Sequence, residues 1–257
     1  MAVDAETTED AVLGGRLTLR QPKRGHRFGH DAILLAAATD ARPGDTAVDL
    51  GAGVGTAGLA LAHRVSKLDV ALVEVDPMLA GLARENAARN ALADRVRVAA
   101  LDVNADAQDF ARAGLPGECA QHVLMNPPFN DPVRQNASPD AGRRHAHVAS
   151  SGTLAQWIGR AAWLLAPSGT LTMIWRADGL ADVLATLNAQ FGGLAIVPVY
   201  PRPDAAAIRI LVRATKHAGA PLVLLPGLTL NDADGKPSTE AEKILRGGQS
   251  LNAFTRR

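Results

Sequence analysis

Asn126-Pro127-Pro128-Phe129 is the stretch of this chain whose residue types and order most directly imply chemistry. Each proline fixes its own φ, lacks an N–H, and pushes the residue before it into an extended conformation. Two in a row hold the chain rigid and leave carbonyl oxygens as acceptors. Such a clamp suits an exocyclic amine, which is a poor nucleophile because its lone pair is delocalised into its ring. The Asn126 side-chain oxygen and the Pro127 carbonyl can each take one N–H, drawing the nitrogen toward sp³ geometry with its lone pair facing an electrophile. Fixed dipoles then meet the positive charge growing on nitrogen, and the remaining gain is alignment. Phe129 would stack on the flat acceptor. No general base is needed before transfer, since the proton can leave afterwards. The plain alternative is a strand ending in a proline-rich turn, with Phe129 in the core.

A second constellation is Asp49-Leu50-Gly51-Ala52-Gly53-Val54-Gly55, where a strand gives way to a helix. Glycines there allow a tight turn and let a ligand approach the helix N-terminus unobstructed. The substring Gly53-Val54-Gly55-Thr56-Ala57-Gly58 matches the dinucleotide fingerprint, so a nicotinamide- or flavin-dependent Rossmann-type oxidoreductase is one reading. Counted from Gly51, the loop is instead G-x-G-x-G with Asp49 two residues ahead. Glu74, at the end of the next strand in VEVDP, can accept both ribose hydroxyls of an adenosyl group. Asp76 fits better as the N-cap of the helix opening at Pro77. Asp102, ending a third strand, is either an acceptor for an adenine amine or a plain turn aspartate.

These residues need a frame that brings strand ends together. Apolar and β-branched runs predict strands at 46–50, 68–75, 95–101, 122–125 and 170–175, with helices at 54–64, 77–90, 154–165 and 178–191. Two last strands, near 195–200 and 207–214, are joined too tightly for a crossover and must pair antiparallel. The expected fold is therefore α/β: a mostly parallel sheet with helices on both faces and an antiparallel C-terminal hairpin. Residues 1–13 read as a disordered lead, 14–215 as one domain with an N-terminal basic arm over 14–44, and 216–257 as an appendage packed on that domain. The appendage holds the run PLVLLPGLTL, a turn, and a short helix at 239–245.

Composition narrows the class. The chain has 257 residues, 47% hydrophobic, with a formal net charge of +1, which excludes wholesale disorder. One cysteine, Cys119, excludes an internal disulfide framework. The polar, acidic start and the absence of a long apolar run predict a soluble cytoplasmic protein with no membrane segment. Arg16, Arg20, Lys23 and Arg24 form one basic cluster and Arg143 and Arg144, followed by His145 and His147, a second. Either cluster is a solvated face or a local phosphate footprint. The two histidines lack further ligands, so no metal is expected.

Taken together, these residues resemble the "methyltransferase small" group of class I S-adenosylmethionine-dependent methyltransferases, whose members carry N/D-P-P-F/Y/W at this place. The run Gly15-Arg16-Leu17 to Arg27-Phe28-Gly29-His30-Asp31-Ala32-Ile33-Leu34-Leu35, the NPPFNDP continuation and the terminal EKILRGG are similar to the tRNA adenine-N6 methyltransferases that modify valine tRNA. The resemblance implies a Rossmann-like fold and S-adenosyl-L-methionine as cofactor. It places Phe28 and Asp31 near the methionine end of that cofactor, with Asp49, Gly51, Gly53 and Gly55 lining it. The implied substrate is an exocyclic amine, adenine N6 of a tRNA, with the two basic clusters holding phosphates beside the pocket. Methyltransferases of rRNA guanine N2 and of protein glutamine share NPPF or NPPY and stand as alternatives. Monomer and homodimer are equally compatible with the sequence.

Overall fold

The first expected strand, β3 (Thr46–Leu50), pairs in parallel with β4 (Asp69–Glu74) on one side and β6 (Ala120–Met125) on the other. A computed structural model describes residues 7–23, 29–128 and 139–254, with the side chains of 139–151 outside the described set. Parallel pairing continues outward to β5 (Val96–Ala100) beside β4, and to β7 (Leu165–Arg176) beside β6. Beyond β7 the sheet turns antiparallel. There β9 (Arg209–Lys216) inserts between β7 and β8 (Phe191–Tyr200), pairing antiparallel with both. Two short strands, β10 (Val223–Leu224) and β11 (Leu228–Thr229), lie parallel along β8. The order is thus β10-β8-β9-β7-β6-β3-β4-β5, with β11 also on β8.

Alternation along the strands divides the core between the two faces of the sheet. Ala47 and Leu124 join one apolar cluster with Leu34 and Leu35 of α1 (His30–Ala38), Leu59 and Leu61 of α2 (Thr56–Arg64), Ala83 of α3 (Pro77–Arg89) and Ile244 of α7 (Thr239–Leu245). Val48, Val123 and Met125 join the other, with Phe110 of α4 (Ala107–Arg112), Trp157 and Ile158 of α5 (Pro139–Leu164) and Val183 of α6 (Leu180–Leu187). Asp76 caps α3 as expected, its Oδ1 accepting from Met78 N at 2.8 Å and Leu79 N at 3.2 Å, ahead of Pro77 in the first turn.

Three expectations are corrected. The N-terminal lead is not without structure where it is described: β1 (Thr7–Val12) pairs antiparallel with β2 (Leu17–Pro22). Leu17, Leu19 and Gln21 of β2 are buried alternately, which gives β1 a formed edge to join. On its other side β2 meets α3, where Asn86 and Asn90 supply side-chain amides in place of a third strand. Asn90 Oδ1 accepts from Thr18 N at 3.0 Å, and Asn86 Oδ1 accepts from Arg20 N at 2.7 Å. Secondly, the helix expected over 154–165 begins earlier, at Pro139, and takes in the second basic cluster. Thirdly, α6 stops at Leu187, and Phe191, expected at a helix end, opens β8 as a buried residue.

Candidate active site

The parallel strands β3, β4 and β6 end along one edge of the sheet, and the glycine loop after β3 crosses that edge. Gly51 has φ +69°, and a Cβ there would lie 2.3 Å from Cη2 of Trp157, so only glycine lets α5 pack so close. Gly53 also has a left-handed φ, +57°, but nothing lies within 4 Å of the position its Cβ would take. That open space belongs to a cavity. Carboxylates hold the loop from below. Glu74, 7% exposed, accepts from Gly53 N at 2.7 Å through Oε2 and from Asp76 N at 2.9 Å through Oε1. Asp49, 2% exposed, accepts from Gly58 N at 2.8 Å. Burial pushes the Asp49 carboxyl up to about 7; the Gly58 N–H opposes this shift, and the nearby Glu74 charge adds to it.

The cavity encloses about 300 Å³. Gly51, Gly53, Thr56 and Asp49 line one wall, Asp31 and Ala32 of α1 a second, and Asn126 and Arg209 the side toward β6 and β9. Asn126 Oδ1 is buried and has no hydrogen-bond partner among the described residues, and the same holds for Thr56 Oγ1. Arg209 Nε donates to Asp31 Oδ2 at 2.9 Å. Among the described lining residues there is no histidine, lysine, cysteine or tyrosine.

The structure thus gathers Asp31, Asp49, Gly51, Gly53 and Asn126 around one space. Gly55 caps α2 with φ +90° behind the cavity wall, and Glu74 lies beneath the loop. Asp102 is exposed and accepts from Asn104 N at 2.8 Å in a local turn. Pro127 is buried and Pro128 exposed. Arg24, Phe28 and Phe129, and the side chains of Arg143 and Arg144, lie outside the described residues. On the arm, Arg16 donates to the Gly247 carbonyl, Arg20 pairs with Glu85 at 3.1 Å, and Lys23 is exposed. Sequence reasoning missed Arg209 and Trp157. Trp157 falls in the expected helix 154–165, whose apolar spacing gave a signal for packing but not for contact with Gly51.

The model of the methyltransferase small domain matches residues 27–199. The chain belongs to this family. A curated tRNA1(Val) (adenine(37)-N6)-methyltransferase from Porphyromonas gingivalis is 32% identical over 65% of this chain and 66% of its own length, just under two thirds. Its counterpart from Bacteroides thetaiotaomicron is 28% identical over 84% and 82%. A crystal structure described as a predicted O-methyltransferase from Agrobacterium tumefaciens shares 30% identity, covers 86% of this chain and 97% of its own, and superposes with a TM-score of 0.72. The molecule is therefore a class I methyltransferase with a Rossmann-like fold, and S-adenosylmethionine is its methyl donor. The oxidoreductase reading falls. Gly58 lets α2 pack close to the sheet, since a Cβ there would lie 2.3 Å from Leu72 and 3.1 Å from Asp49 Oδ2, a role the last glycine has under either reading. The residues present fit the donor: an unfilled cradle at Gly53, buried oxygens at Asn126 and Thr56 without partners among the described residues, and carboxylates suited to a cation. Among the described residues, no helix is long and apolar enough to cross a membrane.

Proposed function

We propose that this methyltransferase acts on an exocyclic amine, adenine N6 of a tRNA. The observation that carries the reading is Asn126 Oδ1, a buried acceptor with no partner among the described residues, at the wall of the donor cavity. Leaving such an atom unpaired costs roughly 1–3 kcal/mol, a cost that a bound N–H donor would remove. The relatives named as tRNA adenine-N6 methyltransferases supply the base and the class of RNA.

When bound, S-adenosylmethionine supplies an electrophilic methyl group on a sulfonium. Asn126 Oδ1 and the Pro127 carbonyl would hold the two amine hydrogens, drawing the nitrogen toward sp³ geometry so that its lone pair is less delocalised into the ring. Both oxygens would then face the positive charge that develops on the amine nitrogen. The surplus proton leaves to water after transfer. A hydroxyl acceptor would instead need a base in place beforehand. Asp31, paired with Arg209, and Asp49, which accepts from Gly58, are the carboxylates of the described lining. Glu74 and Asp102 are assigned to the ribose and the adenine of the donor, and Arg16, Arg20, Lys23, Arg24, Arg143 and Arg144 to RNA phosphates. The target adenine must leave its stack, at about a few kcal/mol, less in a loop than in a duplex.

The test is transfer of labelled methyl from S-adenosylmethionine to unmodified total tRNA and, separately, to ribosomal RNA and a release-factor protein, followed by digestion and mass identification. N6-methyladenosine from the tRNA alone is the expected product. N2-methylguanosine from ribosomal RNA, or methylglutamine from the protein, would replace the reading.

A further inference from the structure

Arg209 was not anticipated from the sequence, and neither the clamp nor the glycine loop explains it. It opens β9, the antiparallel strand inserted in the sheet, and its guanidinium reaches Asp31 in the first turn of α1. The two side chains are 29% and 26% exposed, and both line the donor cavity. A partly exposed pair of this kind adds little to stability, because solvent screens it and ordering two side chains offsets the attraction. Its position suggests another purpose. A cavity wall that presents one cation beside one anion is complementary to a ligand end carrying both charges. The donor has such an end: its α-amino-acid group holds an ammonium and a carboxylate on adjacent atoms. A third group completes the arrangement. Thr56 is 2% exposed, its Oγ1 is unpartnered among the described residues, and it opens α2, where the helix dipole favours negative charge.

We propose that Arg209 is the carboxylate-recognising residue of the donor site, with Thr56 Oγ1 as second donor, and that Asp31 takes the adjacent ammonium. Binding exchanges the Asp31–Arg209 pair for two protein–ligand pairs, and until the zwitterion arrives that contact keeps both side chains preoriented. Arginine suits the role, since its fork can meet both carboxylate oxygens at once. The inference rests on the donor occupying this cavity and is independent of the RNA assignment.

The experiment is calorimetric titration of the full-length chain and its Arg209→Gln and Arg209→Lys variants with S-adenosylmethionine and with decarboxylated S-adenosylmethionine, which lacks only the carboxylate. The wild type should prefer the complete donor. Arg209→Gln should lose about tenfold or more in affinity for it while holding the decarboxylated form within about twofold, and Arg209→Lys should keep part of the preference. Binding of the decarboxylated form certifies that the variant is folded. Equal weakening for both ligands, including loss of both, would show Arg209 to be structural and overturn the proposal. An unchanged preference in Arg209→Gln would overturn it as well. Failure of the wild type to bind either ligand would overturn the cavity assignment itself, and the clamp with it.

Discussion

Asn126 and the two loop glycines separate stability from function at single residues. Asn126→Ala removes a buried oxygen that has no partner among the described residues, so the variant should melt at the same temperature as the wild type or higher. Its turnover should nevertheless fall by about 10²–10³, the usual loss when one preorganised dipole is removed from a transition state. Thermal melts beside methyl-transfer rates check both halves, and a variant with near-normal turnover would sink the clamp. Gly51→Ala and Gly53→Ala form a matched pair, because both glycines have left-handed φ but only Gly51 faces a wall. At Gly51 the new methyl would lie 2.3 Å from Trp157, so unfolding should become easier by several kcal/mol, with a change in tryptophan emission. At Gly53 only the strain of about 1–2 kcal/mol applies. That variant should fold yet bind S-adenosylmethionine poorly, because its methyl projects into the cavity.

At the scale of elements, the N-terminal hairpin and the glycine loop share one support. Asn86, fully buried on α3, donates through Nδ2 to Arg20 O at 3.0 Å and to Val54 O at 3.0 Å, while its Oδ1 accepts from Arg20 N. Asn86→Ala would leave a strand edge and a loop carbonyl without partners, so we expect a loss of about 2–4 kcal/mol and weaker donor binding. Asn90 makes the neighbouring contacts to Thr18 but does not reach the loop. Asn90→Ala should therefore cost stability and leave donor affinity unchanged, which denaturant melts and calorimetry distinguish. None of this coupling could be read from the sequence. An asparagine on a helix gives no periodic signal, and its partners lie 66 and 32 residues away. Legibility followed the range of the cause. The strand TAVDL, the Asp76 cap and the glycine turn are set by neighbours in the chain, and each stands where its residues implied. The Leu17-x-Leu19 alternation was a usable strand signal that the charge of the arm obscured. Arg209 lies 178 residues from Asp31, and only the sheet order brings them together.

For the whole molecule, a net charge of +1 means that the proposed attraction to RNA would have to come from local clusters. Replacing Arg143 and Arg144 by Ala should weaken tRNA binding and reduce its salt slope by roughly one per lost phosphate contact, leaving donor affinity intact. Two buried groups bear on stability against pH in opposite directions. His122 packs between Asp45 Oδ2 at 3.0 Å and Thr170 Oγ1 at 2.8 Å, and burial holds its pKa below the usual 6.5 despite Asp45. The unfolded chain then binds more protons, so this contribution is present above 6.5 and is lost as pH falls below it. Asp49 behaves inversely. Its carboxyl rises from 3.8 to about 7 on folding, so the folded chain is the one that binds more protons between those values. Stability accordingly declines as pH rises through that window, by about 4 kcal/mol at most. Asp49→Asn should remove this decline and leave the acid limb, to which His122, His63 and Asp45 contribute. A cationic donor in the cavity favours the ionised carboxylate, so binding at pH 6 should release part of a proton from the wild type. Titrations in buffers of differing ionisation heat would show that release, and its persistence in Asp49→Asn would move its origin elsewhere.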